Sequence, residues 1–151
     1  MTSALREDAK RRPELFDWAG PVSSACLAAL LAERGWSLPK DLVSFWEETG
    51  GGEIFESETM LAPCGEIALG DNLFTFNEEL RQRGLPEGYV VFHTGMTMSA
   101  VRLADGCYFE LDIDDFQERA GFASLEDWYL RLIRAEYAER YGLPPQAVSS
   151  H

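Results

Sequence analysis

Cysteine, histidine and cationic side chains are all scarce in this chain of 151 residues. Its three cysteines, Cys26, Cys64 and Cys107, are widely spaced, and no CxxC pair occurs. Neither a zinc site nor a thioredoxin-type motif is expected, and the odd number reads as free, mostly buried thiols. The two histidines are His93 and the last residue, His151. Only His93 could serve a nucleophile, and at a strand end it is expected to be structural. Long apolar runs are missing too: the longest covers residues 25–32, far short of the roughly 20 residues a spanning helix needs. Residues 1–16 carry Arg6, Lys10, Arg11 and Arg12 with no apolar stretch behind them. No secretory signal is predicted, and the cytoplasm is the default location.

What is abundant is negative charge. There are 26 Asp plus Glu against 13 Lys plus Arg, a net charge of −13. Such a protein repels nucleic acid and anionic lipid surfaces and attracts basic partners. With 46% hydrophobic and 26% charged residues, the composition is that of a globular protein, and the length suits one domain. The acids are not spread evenly. Residues 41–87 hold 11 acids and 2 bases, and residues 104–127 hold 8 acids and 1 base. The remainder is balanced. If the fold placed both acidic segments on one face, the field there would be strong and of one sign.

The punctuation of the chain predicts its elements. Residues 2–16 read as a polar helix anchored by Leu5, Ala9 and Phe16. A helix capped by Ser23 or Ser24 runs to Arg34, with Leu27, Leu30 and Leu31 inward, and stops at Gly35. The next opens at Pro39, buries Leu42, Val43, Phe45 and Trp46, and ends in Gly50, Gly51 and Gly52. Short extended pieces surround Ile54, Phe55, Met60 and Leu61. A helix covers 71–83, and Tyr89, Val90, Val91 and Phe92 form a strand. Asp105-Gly106 signals a hairpin turn. After it, Cys107, Phe109, Leu111 and Ile113 alternate with Tyr108, Glu110, Asp112 and Asp114; the first set is assigned to the core. Ser124 and Asp127 resemble a capping box. The helix behind them carries Leu125, Trp128, Tyr129, Leu132, Ile133 and Tyr137 as its apolar face, and Gly142 and Pro144 end it.

Two chemistries fail on spacing. The triple glycine follows a helix and precedes Glu53, Glu56 and Glu58, whereas a phosphate loop follows a strand, precedes a helix and usually brings a lysine. Asp112, Asp114 and Asp115 do not make an EF-hand, because Phe116 and Gln117 occupy its fifth and sixth positions. Carboxylate pairs are too numerous for any one to be singled out as acid and base. No catalytic residue, metal ligand or cofactor is therefore assigned.

The order of signals carries a resemblance. Leu38-Pro39 opens a helix that bears Phe45 and Trp46 and ends in Gly50-Gly51. Short apolar pieces and a polar helical region with Asn72 follow. Then come Gly88-Tyr89-Val90-Val91-Phe92, a loop, and a hairpin closing in Tyr108-Phe109-Glu110-Leu111-Asp112. Over residues 23–137 this resembles the SUKH superfamily, which includes yeast cell-wall assembly regulators and many bacterial immunity proteins. The resemblance implies a single α+β domain with an antiparallel sheet flanked by helices. It implies a helical extension over 1–22, the domain over 23–142 and a tail over 143–151. It also implies a binding protein rather than an enzyme: one that occludes a cognate, basic toxin domain, with nucleases prominent among such toxins. The acidic segments supply the candidate partner-binding residues Glu47, Glu48, Glu53, Glu56, Glu58, Glu110, Asp112, Asp114 and Asp115. Two other readings compete. One is a regulatory interaction module without a toxin; the other is a small hydrolase or transferase using Cys64, Cys107 or His93, of which Cys64 is the most plausible nucleophile.

Overall fold

Strand order in the sheet is the order of the chain, β1 to β7, and every pairing is antiparallel. The computed structural model describes residues 2–145; His151 and the 146–150 part of the predicted tail lie outside the described residues. Helix α1 (Ser3–Arg11) leads through a tight turn at Pro13–Leu15 into β1 (Phe16–Trp18). The single helix predicted over 2–16 therefore stops at Arg11, since Pro13 lacks the N–H that would continue it.

Local signals elsewhere place the elements well. Helix α2 (Ser24–Arg34) is capped by the Ser23 hydroxyl, which accepts from the Cys26 N–H at 3.1 Å, and ends at Gly35 with φ +69°. Helix α3 (Lys40–Thr49) starts after Pro39 and ends at Gly50. Glycine is required there: φ is +75°, and a Cβ would lie 1.9 Å from the Gly20 carbonyl oxygen. Strands β2 (Gly52–Ile54) and β3 (Glu58–Met60) follow. The triple glycine thus feeds a strand pair rather than a phosphate.

Helix α4 (Leu73–Gln82), capped by Asn72, lies beside β4 (Tyr89–Thr94). β4 pairs with β3 only at His93 and Thr94, so its earlier residues need another partner. The buried Asn77 supplies one. Its Nδ2 donates to the Val91 carbonyl at 2.8 Å, and its Oδ1 accepts from the Val91 N–H at 2.7 Å. The side-chain amide replaces a strand's peptide group and closes the edge.

Strands β5 (Met98–Arg102), β6 (Cys107–Leu111) and β7 (Glu118–Phe122) complete the sheet. Here the predicted faces are reversed. Tyr108 pairs in register with Val101 and Phe122, and all three are buried. Its ring packs edge-on against Phe92 and its hydroxyl donates to Asp41. Cys107 and Phe109 are half-buried on the other side, where the Arg102 guanidinium lies 4.5 Å from the Phe109 ring. A bulge between Glu110 and Leu111 then brings Leu111 inward, while Ile113 is exposed. The cysteines also depart from expectation: Cys26 and Cys64 are exposed and Cys107 is half-buried.

The last helix begins as α5 (Leu125–Trp128), passes through a π-helical stretch at Tyr129–Arg134 and ends as α6 (Ala135–Tyr137). Trp128, Tyr129, Ile133 and Tyr137 are buried along it. So is Arg134, which pairs with the fully buried Asp8 of α1 at 2.8 Å; the Tyr129 hydroxyl donates to the same carboxylate at 2.6 Å. The fold is α+β, an antiparallel sheet flanked by helices around one hydrophobic core.

Candidate docking surface

In a sheet whose strands follow chain order, turns alternate between its two ends. The β2–β3 turn (55–57), the β4–β5 turn (95–97) and the β6–β7 turn (112–117) therefore share one end. Two exposed apolar side chains mark it, Met96 at 62% and Ile113 at 47% of full exposure. Between them lies a shallow cavity of about 210 Å³, lined by Met96, Thr97, Leu111 and Ile113, with Glu110, Asp112, Asp114 and Arg119 around it. Glu56 projects from the neighbouring turn, and Glu136 of α6 lines a second hollow beside Met96.

The acidic turn is ordered by its own carboxylates. Asp112 Oδ1 accepts from the N–H groups of Asp114 at 2.8 Å and Asp115 at 3.2 Å, and its Oδ2 accepts from Arg119 at 2.6 Å. These backbone donors, with the Arg119 guanidinium, hold its carboxyl below the ordinary range. Asp115 Oδ1 accepts from the Gln117 N–H. Asp112 thus shapes the turn, its charge balanced by Arg119. Among the described residues, Glu56, Glu110, Asp114 and Asp115 form no ion pair. Their charge is available to a partner.

The fold therefore brings Glu56, Glu110, Asp112, Asp114 and Asp115 to one end. Glu47 and Glu48 sit in the last turn of α3, just before the glycines that start β2, and so at the opposite end. Glu48 is also bound to Arg6 at 2.9 Å. Glu53 is exposed in mid-β2, opposite Asp17 of β1. Met96 escapes the sequence reading because an apolar residue inside a turn gives no periodic signal, and Ile113 because the hairpin alternation assigned it to the core, whereas it is 47% exposed.

Glu58 points inward and is 1% exposed, so it presents nothing to a partner. Its Oε1 accepts from His93 Nε2 at 2.7 Å, and its Oε2 accepts from the Tyr137 hydroxyl at 2.7 Å and the Met96 N–H at 3.1 Å. Burial pushes its carboxyl up, but the His93, Tyr137 and Met96 hydrogen bonds outweigh that and leave it below the ordinary value. With Nε2–H donating to Glu58, His93 Nδ1 accepts from the Ser99 hydroxyl at 2.9 Å, and Ser99 Oγ accepts from Trp128 Nε1 at 2.8 Å. Every group in the chain is satisfied. Gly95 abuts it: a Cβ there would lie 2.3 Å from Glu58 Oε1. The buried carboxylate thereby fixes the turn that displays Met96.

Ser99, His93 and Glu58 have the order of a hydrolytic triad. All three are sealed in the core, and the hydroxyl already accepts from an indole, so no substrate carbonyl can approach it. The Cys64 thiol is pushed up by burial and then by its neighbour Cys26, the opposite of an activated nucleophile. Among the described residues, no three His, Cys, Asp or Glu side chains are grouped to hold a metal ion. No described helix is long and apolar enough to cross a membrane.

No curated protein matches the chain. The family described as SMI1 / KNR4 family (SUKH-1) matches residues 21–131, from the approach to α2 into the last helix. With that match taking in β2 to β7, the chain belongs to the SMI1 / KNR4 family (SUKH-1).

Proposed function

We propose that this is an immunity protein, which binds and occludes a basic toxin domain in the cytoplasm and carries out no reaction itself. The observation that carries the reading is the meeting of three turns around Met96 and Ile113, with unpaired carboxylates at the rim. An apolar centre ringed by charge is the anatomy of a protein interface: desolvated anchors supply affinity, and the rim steers encounter. A toxin domain that must hold a polyanion such as nucleic acid presents Lys and Arg at its cleft, and this end of the sheet is complementary to such a cleft.

The test is co-expression with the product of the adjacent gene, capture of the complex, and association kinetics across a salt series. Replacing Glu56, Glu110, Asp114 and Asp115 by Lys should slow association by about tenfold or more at low salt and flatten its salt dependence. The same reversal at Glu47 and Glu53 should leave both nearly unchanged. Equal effects from the two sets would remove this end of the sheet as the docking surface. Failure to bind any neighbouring toxin would favour a regulatory interaction module.

A further inference from the structure

The exposed thiols of Cys26 and Cys64 come together although they are far apart in the chain. Cys26 is the third residue of α2, with its N–H fixed by the Ser23 cap. Cys64 follows Pro63 in a tight turn closed by the Gly65 N–H on the Ala62 carbonyl at 3.1 Å. Both line one open cavity of about 370 Å³, together with Gly20, Pro21, Ser23 and Gly50. The Cys26 thiol is near enough to the Cys64 thiol to push it up, beyond the effect of burial. Each anchor is held by main-chain bonds: Val22 N–H to Glu47 O on one side, Ala62 N–H to Asp71 O and Leu73 N–H to Ala62 O on the other. Two thiols on the wall of one open cavity, on fixed backbone, are the arrangement that thiol–disulfide exchange needs.

We propose that Cys26 and Cys64 form a dithiol–disulfide site, oxidised by low-molecular-weight disulfides of the glutathione class, that staples α2 to the loop leading into α4. Cys26 attacks first, because Cys64 is held protonated. The Cys26 thiolate displaces one sulfur of the small disulfide, which leaves as a thiolate and takes up a proton. Cys64 then gives up its proton and attacks the Cys26 sulfur of the mixed disulfide, and the second small thiol leaves. Two protein thiols are oxidised to one disulfide while one small disulfide is reduced to two thiols. The stapled loop carries Ile67 and Leu69, 68% and 73% exposed, so the bond would restrain an exposed apolar stretch.

The full chain is incubated with oxidised glutathione, quenched by alkylation, and read by intact mass and non-reducing peptide mapping. Free thiols should fall from three to one, with no retained glutathione and with the Cys26 and Cys64 peptides joined. Cys64→Ser should keep a stable glutathione on Cys26, and Cys107→Ser should still close the bridge. Unreacted thiols, lasting glutathione on both cysteines of the unsubstituted chain, bridges to Cys107 or bridged dimers would each overturn the proposal.

Discussion

Replacing Glu58 by Gln tests whether the buried carboxylate organises the end of the sheet. The two oxygens of Glu58 accept three hydrogen bonds, from His93, Tyr137 and Met96. A glutamine has one acceptor oxygen. If that oxygen faces Met96 and Tyr137, the amide NH2 faces the His93 Nε2–H, and the imidazole must move its proton to Nδ1. Ser99 Oγ then receives both that proton and the Trp128 N–H, and its own hydrogen is left without an acceptor. The Ser99 hydroxyl hydrogen is stranded, at about 1 kcal/mol, and the three bonds at position 58 lose their charge assistance, at about 0.5 kcal/mol each. Glu58→Gln should therefore destabilise by about 2–3 kcal/mol at pH 7, a loss that a domain of ordinary stability survives. Glu58→Ala strands the His93 and Met96 donors, leaves the Tyr137 hydroxyl only Ser57 at 2.9 Å, and opens a cavity, so it should cost about 3–5 kcal/mol. Urea unfolding read by tryptophan fluorescence is the assay, because Trp128 lies against His93. The folded carboxyl titrates below its ordinary 4.5, so its stabilisation is complete above that value and is lost as pH falls through the folded value. The gap between the natural chain and Glu58→Gln should accordingly close in acid. A change below about 0.5 kcal/mol at pH 7, or a gap that does not narrow as the pH is lowered, would refute the reasoning.

Two further outcomes follow from the buried polar pairs. Arg134→Met leaves the buried Asp8 carboxylate with only the Tyr129 hydroxyl and the Arg11 guanidinium 3.8 Å away and should cost about 2–4 kcal/mol, whereas Asp8→Leu with Arg134→Met should cost much less; urea midpoints of the two variants decide this. Asn77→Leu removes both amide contacts to Val91 and should cost about 2–3 kcal/mol. Hydrogen exchange at the Val91 N–H should rise selectively, and unchanged protection there would show that the amide does not close the edge.

Much of this architecture was legible because short-range chemistry decides it. Ser23 and Gly35 bracket α2, Asp105-Gly106 turns the hairpin, and Ser124 starts the last helix, since caps and turns need particular residues at particular dihedrals. Facing was harder to read. Ala100 and Val101 are both buried, so alternation in the hairpin did not say which side was core, and Tyr108 went inward because Asp41 offered its hydroxyl a partner. β7 carries no strand signal in the sequence, because Glu118 and Arg119 interrupt any apolar alternation there. Charge bookkeeping found the carboxylates but could not separate Glu56 from Glu58. Two residues apart, they would share a face within one strand; Glu56 instead lies in the β2–β3 turn at φ +66° and reaches solvent, while Glu58 opens β3 and faces His93.

The strand order of the sheet has a consequence for how the chain acquires its shape. Each strand pairs with the one just before it, so a chain emerging from synthesis can zip β2 with β3, and β4 through β7, across short turns, while α2 and α3 must be accommodated between β1 and β2 and α4 between β3 and β4. The ion pair of Asp8 with Arg134 is different, for it spans 126 positions. The first helix can dock only after the last has been made, and the two lock together as a clasp at the end of assembly, sealing residues that nothing earlier could have covered.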